Sequence, residues 1–96
     1  MSGTSLDGLD LALCTLQGSG LSTKITTQYF ITLPFEDPIR NRLLDICSKS
    51  TVHLEAITFM HKEFGCYVAD KINQQLIAWG IPNNEIDLIA SHGQTI

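Results

Sequence analysis

Two short polar segments carry the residue types from which a binding site can be built. The first opens the chain as Gly3-Thr4-Ser5-Leu6-Asp7-Gly8-Leu9-Asp10. Glycines at 3 and 8 let the backbone approach a ligand closely and adopt conformations closed to other residues. Thr4 and Ser5 add hydroxyl donors, and successive amides in such a turn can form an anion-binding concavity. Asp7 and Asp10 can hold a metal ion through water or simply order the loop. This is not a P-loop, because G-x-x-x-x-G-K-[ST] is absent and no helix follows. On spacing alone, a Gly- and Asp-rich loop is more often a plain hairpin turn. The second segment is Ser91-His92-Gly93-Gln94-Thr95. His92 and Gln94 offer paired donors and acceptors to ligand hydroxyls, although a polar loop with a satisfied histidine is the simpler alternative.

The elements that would position these segments follow from periodicity. Asp10 to Leu16 alternates imperfectly, with Leu11, Leu13 and Thr15 on one face and Ala12, Cys14 and Leu16 on the other. It reads as a strand buried on both sides. Gly18-Ser19-Gly20 is a turn, and Lys24 to Leu33, rich in Thr, Ile, Tyr and Phe, is a second strand ended by Pro34. The two are expected to pair as an antiparallel hairpin. Asp37-Pro38 starts a helix running to about Lys49, with Ile39, Leu43, Leu44 and Ile46 as its apolar stripe. Ser50 or Thr51 can cap a longer helix to about Trp79, striped by Ile57, Met60, Phe64, Val68, Ile72 and Leu76. Gly65 interrupts it at a cost of about 1 kcal/mol relative to Ala, which calls for compensating close packing. Gly80-Ile81-Pro82 stops it.

Ile86 to Ala90 is a short apolar run that, after a helical crossover, is most economically a buried parallel strand. Its C-terminal end delivers the second polar segment, where open α/β sheets place ligands. The opening loop precedes any strand able to support it, so a strand upstream of Met1 is expected. His53 and His61 lack a metal-ligand spacing and read as surface residues. Glu55, Glu63 and Asp70 read as a solvated helix face, and Trp79 as a core anchor.

Composition narrows the partners. The 44% hydrophobic content is ordinary for a globular protein among its 96 residues. A net charge of −4, with only six Lys and Arg, argues against nucleic acid. No signal peptide or membrane-length apolar run is visible, so no membrane partner is expected. Cys14, Cys47 and Cys66 are odd in number, far apart and set among apolar residues. They are expected to be buried, reduced thiols in a cytoplasmic protein.

Taken together, Met1-Ser-Gly-Thr-Ser-Leu-Asp-Gly-Leu-Asp10, followed about eighty residues later by Ile89-Ala-Ser-His-Gly-Gln-Thr-Ile96, resembles the anhydro-N-acetylmuramic acid kinase family. The resemblance spans essentially the whole chain. It implies an α/β fragment of the ribonuclease-H-like, actin-type ATPase fold, made of a β-hairpin, two helices and one further strand. Residues 1–96 would be part of the N-terminal domain of a two-domain sugar kinase, without the first strand and the C-terminal domain, and inactive alone. The implied reaction is ATP-dependent conversion of 1,6-anhydro-N-acetylmuramic acid to N-acetylmuramic acid 6-phosphate, with hydrolytic opening of the anhydro ring, in cell-wall sugar recycling. ATP and Mg2+ are the implied cofactors, and a homodimer is admissible for the longer protein. By the family pattern Gly3, Thr4, Ser5, Leu6, Asp7, Gly8, Leu9 and Asp10 line the ATP phosphates, while His92 and Gln94 lie on the sugar side. The general-base aspartate is expected outside this segment. Another sugar or acid kinase of the same superfamily, or a non-catalytic actin-like nucleotide-binding module, are the alternatives.

Overall fold

Period-two alternation is satisfied by a hairpin in which β1 (Gly8–Gln17) pairs antiparallel with β2 (Lys24–Pro34). The structure is a computed structural model that describes residues 6–47 and 49–94. The connection turns at Gly18 and closes with a short 3-10 turn at Gly20–Ser22. There the Ser22 and Thr23 hydroxyls each donate to a turn carbonyl, of Ser19 and Gly20, at 2.8 Å. Leu9 stands opposite Leu33, Leu11 opposite Ile31 and Leu13 opposite Tyr29, so these residues share one face. The register then shifts so that Cys14 meets Thr27, leaving Gln28 as the extra residue of a bulge. Its amide nitrogen donates to Thr15 Oγ1 at 2.6 Å.

Burial of β1 differs from the expectation. Leu9 is buried and Leu11, Leu13 and Thr15 are half-buried, but Ala12, Cys14 and Leu16 on the other face are exposed. Among the described residues nothing is layered on that face, so the alternation supplies only one burying contact. Cysteine burial is corrected for the same reason. Cys14 lies on the open face and Cys66 on the outer side of the long helix, both exposed, and only Cys47 is half-buried. Burial pushes the Cys47 thiol pKa up. None of the three is joined in a disulfide.

Two helices follow. In α1 (Asp37–Cys47) the Glu36 carbonyl accepts the Arg40 N–H at 3.0 Å, which starts the helix one residue before the expected cap. Pro38 is tolerated there because first-turn amides have no intrahelical partner. α2 (Leu54–Trp79) begins later than Ser50 or Thr51 would have placed it. The apolar stripe begins only at Ile57, so an additional upstream turn would bury little. The His53 carbonyl instead receives the Ala56 and Ile57 amides at 3.1 and 3.3 Å. Gly80 ends α2 in the left-handed region, φ 71°. Its N–H bonds to the Ile77 carbonyl, and that of Ile81 to the Leu76 carbonyl, giving the paired bonds of a Schellman end.

The core forms where the base of the hairpin meets both helices. Leu6, Leu9, Phe35, Ile39, Leu43 and Met60 are buried together, with Phe64, Tyr67 and Val68 of α2 packed against them. The i, i+4 spacing of Ile39 and Leu43 puts both on one side of α1. Phe35 meets Phe64 edge-on, centroids 6.1 Å apart. Lys71 pairs with Glu36 at 3.1 Å, and Tyr67 Oη accepts the Glu36 N–H at 3.3 Å. Glu63, expected on a solvated face, is half-buried and paired with Arg42 of α1. Partly exposed ion pairs contribute about 0–1 kcal/mol each, so packing dominates. Trp79 anchors the helix end by stacking on Tyr29, centroids 5.1 Å apart, outside the main cluster. Gly65 has no described atom within 4 Å of where a Cβ would lie, so the expected close packing is not found among the described residues.

The strand expected at 86–90 does not form. After a 3-10 turn at Asn83–Glu85, this segment runs beside β1 without pairing to it, and β2 is the strand on which β1 ladders. A cleft of about 230 Å³ is lined both by residues Asp10 to Leu13 and by residues Leu88 to Ala90. A strand requires a hydrogen-bonded neighbour, and none reaches it among the described residues. What remains is the α/β order of hairpin then two helices. Leu43, 1% exposed, belongs to this core cluster. Leu43→Ala is expected to lower stability by about 2–5 kcal/mol, whereas Leu16→Ala on the open face should change it by less than about 0.5 kcal/mol. Urea unfolding of the two variants measures both.

Candidate functional site

The described part of the opening loop alternates buried and exposed residues. Leu6 is 2% exposed and Leu9 3% exposed, both within the core cluster, while Asp7 between them is exposed. These two leucines therefore offer a ligand only their backbone. Leu6 has φ 56°, a left-handed conformation that costs a non-glycine residue about 1–2 kcal/mol. Three contacts oppose that cost: the buried side chain, Arg40 Nε donating to the Leu6 carbonyl at 3.2 Å, and the Phe35 N–H donating to the Asp7 carbonyl at 3.4 Å. The chain thus enters β1 with its backbone held on both sides of Asp7.

Gly8 and Asp10 serve the hairpin. A Cβ on Gly8 would lie 2.6 Å from the Leu33 carbonyl oxygen on the opposite strand, so the close approach requiring glycine is that of β2. Asp10 Oδ1 accepts the Thr32 hydroxyl at 2.6 Å, directly across the hairpin. Gly3, Thr4 and Ser5 lie outside the described residues. No cluster of three or more His, Cys, Asp or Glu able to hold a metal ion occurs among the described residues. A magnesium ion asks less of a protein, because one or two carboxylates suffice when phosphates supply the other oxygens. Exposed Asp7 fits that requirement.

The second segment carries no regular structure. The Gly93 N–H donates to Ser91 Oγ at 3.1 Å, and Gly93 adopts φ 71°. Ser91, Gly93 and half-buried Gln94 line a cleft of about 400 Å³ against Leu43 of α1 and Phe64 of α2. Gln94 thus brings an amide to an otherwise apolar wall, and exposed His61 adds an imidazole at the same cleft. His92 is exposed and is not among the residues lining it. Leu43 touches this cleft and also belongs to the cluster that buries Leu6, so one α1 side chain references both segments. Asp10 and Ala90, which border the two segments, line the same neighbouring cleft.

Sequence reasoning passed over Arg40; it placed His61 on the surface, where His61 is, but did not place it at this cleft. The available signals were faint: a cation early in a helix for Arg40, and for His61 a position one residue after Met60 of the apolar stripe. No helix among the described residues is long and apolar enough to cross a membrane.

Comparison with known proteins gives a consistent result. The model of a family described as anhydro-N-acetylmuramic acid kinase matches residues 1–96. An anhydro-N-acetylmuramic acid kinase of Pseudoalteromonas translucida is 42% identical over the whole chain, which corresponds to 24% of that protein. The enzyme of the same name from Pseudoalteromonas atlantica is also 42% identical with the same coverage. That of Bacillus cereus strain G9842 is 38% identical over the whole chain and 25% of its own length. The chain therefore spans about a quarter of the length of these curated relatives. No solved structure matches it.

The glycine geometry predicts opposite outcomes at two positions. Gly8→Ala forces a methyl group against the Leu33 carbonyl and is expected to destabilise by about 1–3 kcal/mol. Gly65→Ala meets open space in the middle of α2 and is expected to stabilise by up to about 1 kcal/mol. Denaturation midpoints of the two variants measure both.

Proposed function

The chain belongs to the anhydro-N-acetylmuramic acid kinase family, and from that premise we propose that it is part of an ATP-dependent sugar kinase. The protein containing it converts 1,6-anhydro-N-acetylmuramic acid to N-acetylmuramic acid 6-phosphate with hydrolytic opening of the anhydro ring. The family match across both polar segments is the observation that carries this reading. The α/β order of hairpin then two helices is consistent with the N-terminal part of an actin-like ATPase fold. The complete enzyme would comprise two domains, with ATP bound between them, and act on cell-wall sugar in the cytoplasm.

Phosphoryl transfer depends mainly on positioning and on stabilising developing charge, so backbone amides held in one conformation are suitable partners for phosphate oxygens. Residues Gly3 to Asp10 take this role. Support comes from the entry to β1, where Leu6 and Leu9 are sunk in the core and Asp7 stays exposed. Magnesium, when bound, neutralises phosphate charge, and Asp7 is the carboxylate assigned to its side of the loop. Asp10 keeps the loop in register through Thr32. His92 and Gln94 are assigned to the sugar, whose hydroxyls require directional donors and acceptors. Gln94, at the cleft between α1 and α2, has the stronger geometric support. The base that activates water at the anomeric carbon is assigned to no residue of this chain.

Steady-state kinetics of the full-length kinase tests the assignment. Asp7→Ala is expected to lower kcat/KM for ATP by about 10²-fold, with the sugar KM little changed. Gln94→Ala and His92→Ala are expected to raise the sugar KM and leave the ATP KM intact. A lost neutral hydrogen bond of about 0.5–1.5 kcal/mol corresponds to about 2- to 13-fold in KM. The reverse pattern would exchange the roles of the two segments. Unchanged kinetics in all three variants would reject the site.

A further inference from the structure

We propose that Arg40 is a positioning residue that aims the phosphate loop, an inference resting on the reading of that loop just given. Arg40 is the fourth residue of α1, and its Nε donates to the Leu6 carbonyl at 3.2 Å. A helical side chain leans toward the N-terminal end of its helix, the direction this contact requires. The carbonyl and N–H of a trans peptide point in opposite directions. Clamping the Leu6 carbonyl on the α1 side therefore turns the Asp7 N–H away from α1. The following peptide is held by a second bond, from the Phe35 N–H to the Asp7 carbonyl. Both peptide planes flanking exposed Asp7 are thus set by partners outside the loop.

Two observations make this more than an incidental contact. Leu6 occupies the left-handed region, φ 56°, where an L residue is strained and an unassisted backbone favours another orientation. A bond to its carbonyl selects one orientation over the other. The cation also sits near the positive end of the α1 dipole, which disfavours it, so helix stability does not account for an arginine at this position. Arg42 and Lys71 pair with the carboxylates of Glu63 and Glu36, whereas Arg40 reaches the loop backbone. A planar, weakly hydrated guanidinium suits such a partly buried, directional bond better than an ammonium group does.

The test uses the full-length kinase and separate saturation curves for ATP and for the anhydro sugar. Arg40→Met removes the donor and keeps an apolar stem. It is expected to lower kcat/KM for ATP by about 10²-fold through a raised ATP KM, with the sugar KM within twofold of the parent. Arg40→Lys retains charge and packing but loses the Nε geometry, and is expected to show the same ATP-selective rise at about a tenth of the size. The lysine variant also serves if the methionine variant does not fold. Equal falls in kcat with both KM values unchanged would mean a structural role alone and overturn the proposal. A lysine variant with parental ATP KM would overturn the directional clamp. If Asp7→Ala impairs ATP use while both Arg40 variants do not, the loop reading stands and Arg40 falls. If none of the three affects ATP, the loop reading fails and takes this inference with it.

Discussion

The burial of Leu6, Leu9, Phe35, Ile39, Leu43 and Met60 in one cluster is the constraint on which the other contacts depend. These residues come from the opening loop, the first strand, the strand-to-helix junction and both helices, and no single element could bury them alone. At about 25 cal/mol per Å² of apolar area removed from water, such a junction outweighs the partly exposed ion pairs around it. Arg42 with Glu63 and Lys71 with Glu36 orient the helices, yet each is worth little without the packing beneath. Burial of the Leu6 side chain in the cluster also helps offset the cost of its left-handed backbone.

A consequence is that core and candidate site share residues. The segment proposed to face phosphate is made of alternate anchors and exposed positions, so its chemistry and its packing are inseparable. Leu6 and Leu9 hold the backbone, Asp7 is presented between them, and Asp10 ties the loop to β2 through Thr32. Gly8 shows how easily such a motif is misread. Its lack of a side chain is demanded by the Leu33 carbonyl across the hairpin. The glycine therefore belongs to the support of the loop, whatever the loop binds.

The second segment is supported less firmly. Residues 86–90 are apolar enough for a buried strand, but they have no ladder partner among the described residues, and Leu88 and Ile89 are largely exposed. The open faces of the hairpin and of this segment are apolar surfaces of the kind that a larger assembly of elements covers. Gln94 nevertheless reaches the helix pair, through the cleft that Leu43 and Phe64 line. Leu43 at that cleft also belongs to the cluster that buries Leu6.

Much of this was legible in the chain itself. The hairpin, both helices and the Gly80 stop follow from local alternation, from apolar spacing and from glycine's access to positive φ, all properties of neighbouring residues. The two polar segments also announced themselves by residue type and order, which is why the family resemblance could be drawn from them. What only the tertiary structure decided are relations between residues far apart in the chain. Periodicity gave Ala12, Cys14 and Leu16 an apolar face but could not say whether anything covers it. Nothing near Arg40 in sequence points to a carbonyl 34 positions earlier, and nothing near Gly8 reveals the strand that crowds it. Local sequence sets the preferences of each element. Which side chain meets which backbone is settled when the elements close on a common core.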